Sequence, residues 1–334
     1  MVRVAITLLV LLVGSCSVAA DQHRIDQVGE HALLRSLLPS LPQGDAVLLG
    51  PGDDAAVLDL AAPVLVCTDV LTEEVHFRRD WSSAHDVGRK AVSVNAADVG
   101  AMGGRTVAVT VGLVVPPQTE VAWIEELADG LRTEADVVGC SVVGGDTVAG
   151  ASVTVSVTAL GTTAGRVVRR AGARPGDVLA VSGRLGYAAA GLDVLRRGFR
   201  SPRRLVDAHR CPVPPYRDGP GAAAAGATAM IDISDGLVAD VAHLAEASNV
   251  GVQISRDDLG VSDELITMAR GLGVDPWAWV LTGGEDHALA ATFPPDRALP
   301  GGFRRVGVVL EGSGVDVPGW EPDSSAAGYE HFSG

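Results

Sequence analysis

Between residues 151 and 161 polar and apolar positions alternate without a break: Val153, Val155, Val157 and Ala159 stand against Ser152, Thr154, Ser156 and Thr158. A period of two is that of a strand with one face on a core and the other wetter. Residues 106–115 and 141–144 read as further apolar strands, and 47–68 as two or three short strands broken at Gly50-Pro51-Gly52 and Ala62-Pro63. The period becomes helical over 86–102, opened by the capping pattern Ser83-x-x-Asp86 and closed by Gly103-Gly104. It is helical again over 120–135, where Val121, Ile124, Leu127, Leu131 and Ala135 share a face. After an arginine- and glycine-rich connection at 162–176 the alternation of element types starts afresh. Strands are predicted at 178–182, 227–233, 251–254, 280–281, 288–293 and 303–310, helices at 187–197, 237–248 and 262–272, and a proline-containing loop at 211–220. The pattern predicts an α+β chain of two α/β halves, with no short-period repeat.

Length agrees, because 334 residues exceed one ordinary core and suit two domains. The halves are placed at 26–162 and 163–334. Acidic residues number 41 against 26 basic ones, a net charge of −15, which disfavours nucleic acid and anionic membrane surfaces as partners. Lys90 is the single lysine and no Gly-x-x-x-x-Gly-Lys-Ser/Thr occurs, so a P-loop is excluded. Cys16, Cys67, Cys140 and Cys211 show no Cys-x-x-Cys spacing and read as free thiols rather than a zinc or redox site.

The N-terminus is a separate matter. Arg3, the apolar run 4–13 and Gly14-Ser15-Cys16 resemble a secretory or lipoprotein signal, too short to span a membrane as a mature helix. A start codon placed too far upstream is the competing explanation. Either way residues 1–25 are expected outside the fold, and no later apolar stretch of membrane length is free of charge.

Carboxylates recur beside glycine at the predicted ends of apolar strands: Gly52-Asp53-Asp54-Ala55, Cys67-Thr68-Asp69, Gly144-Gly145-Asp146-Thr147 and Asp232-Ile233-Ser234-Asp235-Gly236. Asp98 lies on the apolar stripe of the helix that carries Val87, Ala91, Val94 and Ala101. Burying carboxylates is costly unless they are neutralised. With one lysine in the chain and no arginine inside these motifs, a divalent cation is the natural common partner. Oxygen donors from Asp, Thr and Ser suit magnesium bridging to phosphate better than zinc. Singly, each motif also reads as a turn; so does Asp177. Gly183-x-x-Gly186 at a helix start is a weak phosphate-cradle signal, and His76 is ambiguous alone.

The set resembles the thiamine-monophosphate kinase family, of the aminoimidazole-ribonucleotide-synthetase-like superfamily. The resemblance is carried, in order, by Gly50-Pro51-Gly52-Asp53-Asp54-Ala55-Ala56, Thr68-Asp69, His76-Phe77, Lys90-Ala91-Val92-Ser93-Val94-Asn95-Ala96-Ala97-Asp98, Ala101-Met102-Gly103, Val143-Gly144-Gly145-Asp146, Ile231-Asp232-Ile233-Ser234-Asp235-Gly236-Leu237 and Gly283-Gly284-Glu285-Asp286. It runs from about Asp26 to the end. It implies an N-terminal half that forms a β-barrel shared by a homodimer, a C-terminal α/β sandwich, and ATP between the halves. It further implies direct phosphoryl transfer from ATP to thiamine monophosphate, giving ADP and thiamine diphosphate, in the cytoplasm.

Carried over by motif, Asp54, Thr68, Asp69, Asp98, Asp146 and Asp232 match magnesium ligands, with Asp235 holding a further ion. Asp146 and Asp232 act on the reaction through the metal. Gly145, Arg170 and Ser234 match ATP contacts; His76, Glu285 and Tyr329 match the acceptor pocket. Cys67 departs from the Ser or Thr of relatives, and a neutral thiol is a poor magnesium ligand. A selenophosphate synthetase would need a reactive Cys and Lys near the first glycine motif, and a hydrogenase-maturation relative a terminal Cys; the chain has neither feature. Another ATP-using member of the superfamily remains an alternative. From a different class, a secreted acidic metal-binding protein would suit the leader, but Asp-x-Asp-x-Asp-Gly calcium loops are absent.

Overall fold

The computed structural model describes residues 24, 27, 33, 36–49, 57–60 and 63–320. The architecture is mixed α+β. A small ribbon pairs β1 (Val47–Leu49) with β2 (Val57–Leu58). The first large sheet has the order β3-β6-β4-β5, from β3 (Val64–Thr72), β4 (Arg105–Val115), β5 (Ser141–Ala149) and β6 (Thr154–Thr162). Only β4 and β5 run parallel; the other neighbours are antiparallel.

Helices α1 (Ala84–Ala101) and α2 (Val121–Val138) cover one face of this sheet. Val87, Ala91 and Val99 of α1, with Ile124, Leu127 and Leu131 of α2, close over Val109, Leu113, Val155, Val157 and Ala159. The start of α1 is the predicted capping box: Ser83 accepts from the Asp86 N–H, and Asp86 accepts from the Ser83 N–H. The two helices cross at glycines. A Cβ on Gly130 would meet the His85 carbonyl, and one on Gly88 the Leu127 carbonyl, at 2.1 and 2.2 Å, so larger residues would force the helices apart.

A connection at 163–177 leads to a six-stranded sheet of order β12-β9-β11-β7-β10-β8. Its strands are β7 (Val178–Ser182), β8 (Ala229–Ile233), β9 (Gly251–Ile254), β10 (Ala288–Phe293), β11 (Arg304–Leu310) and β12 (Gly314–Asp316). One face packs on α3 (Tyr187–Arg196), α6 (Leu237–Ser248), α8 (Asp263–Leu272) and α9 (Pro276–Thr282) through Leu179, Val181, Ile231, Ile233, Val241 and Leu281. The other face places Ala180, Met230, Leu289 and Phe293 against Ala222 of α5 (Asp218–Ala225), Val168 and Ala101 at the end of α1. The core therefore runs from one half into the other.

Three expectations need correction. Residues 280–281 are helical, because the Asp275 side chain accepts from the Trp277 N–H and Pro276 occupies the first turn, starting α9 where the apolar pair alone reads as a strand. The proline-rich stretch is flanked by two helices that have no sequence signal of their own length, α4 (Arg203–Arg210) and α5. Asp69 and Asp146 are not at strand exits; each lies inside a strand, β3 and β5. Among the described residues no helix is long and apolar enough to cross a membrane.

Candidate active site

Strand alternation divides the candidate residues. Along β3, Cys67, Asp69 and Leu71 point to the helices, whereas Val66, Thr68 and Val70 point away. Asp146 pairs with Gly112, Gly112 with Ser156 and Ser156 with Val70, so Asp146 belongs to the outward row. Thr68 is outward too, its hydroxyl 2.8 Å from that of Thr158. Gly145 has a packing reason of its own: a Cβ there would lie 2.0 Å from the Val111 carbonyl across the β4–β5 pair.

The inward set converges between the halves. A cleft of about 300 Å³ is lined by Cys67 and Leu65 of β3, Asp98 and Met102 at the end of α1, Arg170 of the connection, and Ile231 and Asp232 of β8. Asp69, Asp98 and Asp232 lie close enough for their charges to act on one another. Burial, then the charges of Asp232 and Asp69, push Asp98 up to about 7. Burial likewise raises Asp69, even though His287 opposes the shift. Asn95 fixes the backbone here, its Oδ1 accepting from the Asp69 N–H at 3.1 Å and its Nδ2 donating to the Ala91 carbonyl at 2.9 Å. The Cys67 thiol faces α1, donates to the Asn95 carbonyl at 3.3 Å, and is kept neutral by burial.

The loop at 283–287 joins this cluster through three consecutive side chains, each holding a different element. His287 Nδ1 lies 3.2 Å from Asp232 Oδ2. Asp286 is buried and accepts from the N–H groups of Gly186 and Ala188, occupying the start of α3. The Gly186 amide is thus taken up from within the chain, which removes it as a phosphate donor for the Gly183-x-x-Gly186 cradle. Glu285 pairs with Lys90 of α1. Asp240 performs the same service for the 234–236 turn, accepting from the Asp235 and Gly236 N–H groups at 3.0 and 3.1 Å. Burial pushes Asp240 and Asp286 up to about 7.

One carboxylate that the sequence reading left to a cation has a protein partner instead, His287 at Asp232. His287, Asp240, Asp286 and Asn95 were missed as site residues. Asp240 alone had a local signal, an acidic residue in the first turn of a helix; the others act over long sequence separations.

His76, in the loop after β3, has Nδ1 accepting from the Thr72 N–H at 3.0 Å. Ser234 is half-buried, and its carbonyl accepts from the Glu285 N–H at 2.7 Å. Asp54 and Tyr329 lie outside the described residues. Among the described residues no three His, Cys, Asp or Glu side chains converge to enclose a metal ion by themselves.

Comparison with known proteins agrees with this geometry. AIR synthase related protein, N-terminal domain, matches residues 52–163, and AIR synthase related protein, C-terminal domain, matches 174–298. The thiamine-monophosphate kinase of Mycobacterium tuberculosis is 45% identical over 319 residues, 95% of each chain. That of Corynebacterium glutamicum is 40% identical over 270 residues, 78% of this chain and 81% of its own. Among solved structures, AaThiL complexed with AMPPCP and TMP superposes with a TM-score of 0.76 at 34% identity, covering 93% of this chain and 99% of that one. With both of its halves matched and 95% of its length aligned to such an enzyme, the chain belongs to the thiamine-monophosphate kinase family.

Proposed function

We propose that the protein transfers the terminal phosphoryl group of ATP directly, in line, to the phosphate of thiamine monophosphate. The observation that carries this reading is the cleft between the halves, where Asp69, Asp98 and Asp232 crowd one another with Arg170 at the edge. It is supported by a related structure that holds AMPPCP and TMP together.

The donor set fits magnesium. Carboxylates crowded in a half-buried cleft repel one another until a cation enters. Magnesium is commonly held by one or two carboxylates plus substrate phosphates, so a full protein cage is not needed. The reading assigns Asp54, Thr68, Asp69, Asp98, Asp146, Asp232 and Asp235 to magnesium ions, and Gly145, Arg170 and Ser234 to ATP. His76, Glu285 and Tyr329 form the acceptor pocket. When bound, magnesium supplies charge neutralisation at the transferring phosphoryl group. The acceptor oxygen already carries charge, so no side chain needs to act as nucleophile or general base. Arg170 is placed to hold an anionic phosphate at the cleft edge.

Thr68 and Asp146 face away from this cleft, which bears on assembly. We read the outward face of the first sheet as the seat of a second copy, closing the shared barrel. Val64, Val66, Val70 and Val148 stand 44 to 64% exposed there, a run of apolar surface that a lone subunit rarely leaves open. The reading keeps domains at 26–162 and 163–334, leaves 1–25 outside them, and places the enzyme in the cytoplasm with its nucleotide substrate. ADP release, measured with thiamine phosphate, thiamine and hydroxymethylpyrimidine phosphate offered separately, tests the reaction. Turnover should require thiamine phosphate and magnesium together; preference for free thiamine would overturn it.

A further inference from the structure

The chain's only lysine joins the two walls of the acceptor side. Lys90 sits in the middle of α1, 1% exposed, between core residues Ala91 and Val87. Its Nζ donates to the His76 carbonyl at 3.0 Å and pairs with the Glu285 carboxylate. His76 belongs to a loop of the first half and Glu285 to a loop of the second, so one ammonium ties both to the same helix.

Both residues also make backbone hydrogen bonds. The His76 N–H donates to the Thr72 carbonyl at 2.9 Å, and the ring accepts through Nδ1 from the Thr72 N–H, leaving Nε2 to carry the proton in the neutral form. Glu285 is in the left-handed region at φ 70°, with its N–H on the Ser234 carbonyl at 2.7 Å. A non-glycine residue holds such a conformation only where its surroundings insist on it. Its side chain remains 38% exposed. One carboxylate oxygen is therefore spent on Lys90, while part of the side chain stays exposed.

We propose that Lys90 is a positioning residue for the acceptor: it touches no substrate, but fixes the His76 backbone and the Glu285 carboxylate in one frame across the two halves. This rests on the reading of His76 and Glu285 as acceptor-pocket residues. Electrostatics agree. Burial alone would raise Glu285, but Lys90 and His287 outweigh it and hold the carboxyl down to about 2. The wall offered to the acceptor is an ionised carboxylate, suited to the permanently cationic ring of a thiamine ester.

The test is steady-state kinetics on the full chain, varying thiamine phosphate and ATP separately, for wild type, Lys90→Met, Glu285→Gln and the double variant. Lys90→Met should raise the KM for thiamine phosphate at least tenfold and change the KM for ATP less than twofold. In the Glu285→Gln background the same replacement should raise that KM less than it does in wild type, because one of the two groups it acts through is already gone. The double variant removes both charges and leaves no unpaired ion in the core, so it keeps the comparison open if Lys90→Met alone fails to fold. Equal losses for both substrates, or independent effects in the double variant, would overturn the proposal. If wild type uses a different phosphorylated acceptor, the reaction assigned above falls, while the Lys90–Glu285 coupling is still read on the KM of that acceptor.

Discussion

Thr68 and Asp69 are consecutive, yet they serve opposite faces of one sheet. On the covered face Asp69 meets Asp98, Asp232 and His287 in a cleft between the halves. On the open face Thr68 shares a hydroxyl contact with Thr158, and Asp146 accepts the neighbouring Thr147 N–H at 2.9 Å. The difference teaches that neighbours in one sequence motif are divided between two faces, so on the proposed reading only part of the ligand set gathers in the cleft. The covered face is electrostatically loaded, with raised carboxyl pKa values, whereas the open face leaves valines exposed.

The largest effect should come from breaking each face at its carboxylate. Asp232→Asn and Asp146→Asn should each lower kcat by about 10² to 10³, the scale of losing one preorganised charge at the reacting group, with circular dichroism unchanged. Near-normal turnover in Asp146→Asn alone would confine catalysis to the covered face. A second break targets only the open face. Val66→Arg should shift the protein to monomer in sedimentation velocity and reduce turnover with it, since an unpaired charge in an apolar interface is costly. A variant that still sediments with wild type would show that the face is not used for self-association.

A smaller effect sharpens the covered face. A carboxyl at 3.8 in the unfolded chain and about 7 in the fold binds an extra proton in the native state between those values, so its contribution is favourable at low pH and lost as pH rises through 7. Asp98, Asp240 and Asp286 share this sign. In chelator, the Tm should fall between about pH 4 and pH 8. Asp98→Asn should abolish kinase activity yet gain about 1 kcal/mol at pH 8 in chelator, the scale of one pKa unit. With magnesium and an ATP analogue the order should reverse, because only wild type gains the binding energy. Destabilisation of the variant in chelator would make Asp98 a core hydrogen-bonding residue instead. The smallest effect belongs to the open face: Thr68→Val should move stability by no more than about 0.5 kcal/mol, as for an exposed hydroxyl pair, which thermal melts can check against its effect on turnover.

Local chemistry made much of this readable. The capping box at Ser83, the alternation through Val153 to Ala159 and the span of α6 are set within a few residues, so periodicity and capping residues determined them. The order of the glycine-flanked carboxylate motifs identified the family because the motifs are contiguous in the chain. Even so, a run such as Val280-Leu281 is equally apolar as strand or helix, and only the Asp275 cap decided it.

What the tertiary structure alone decided is where the charges meet. No local pattern brings Lys90 to Glu285, Asp286 to the start of α3, or His287 to Asp232, because each pair is separated by 55 residues or more; the last two meet when the second half folds, and the first only when that half docks on α1. The division of Thr68 from Asp69 needed the same information. Alternation along a strand follows from sequence, but which face is covered depends on the helices that pack there. The sequence by itself thus determined the element types and the family, whereas burial and the partners of each carboxylate arose from packing between distant segments.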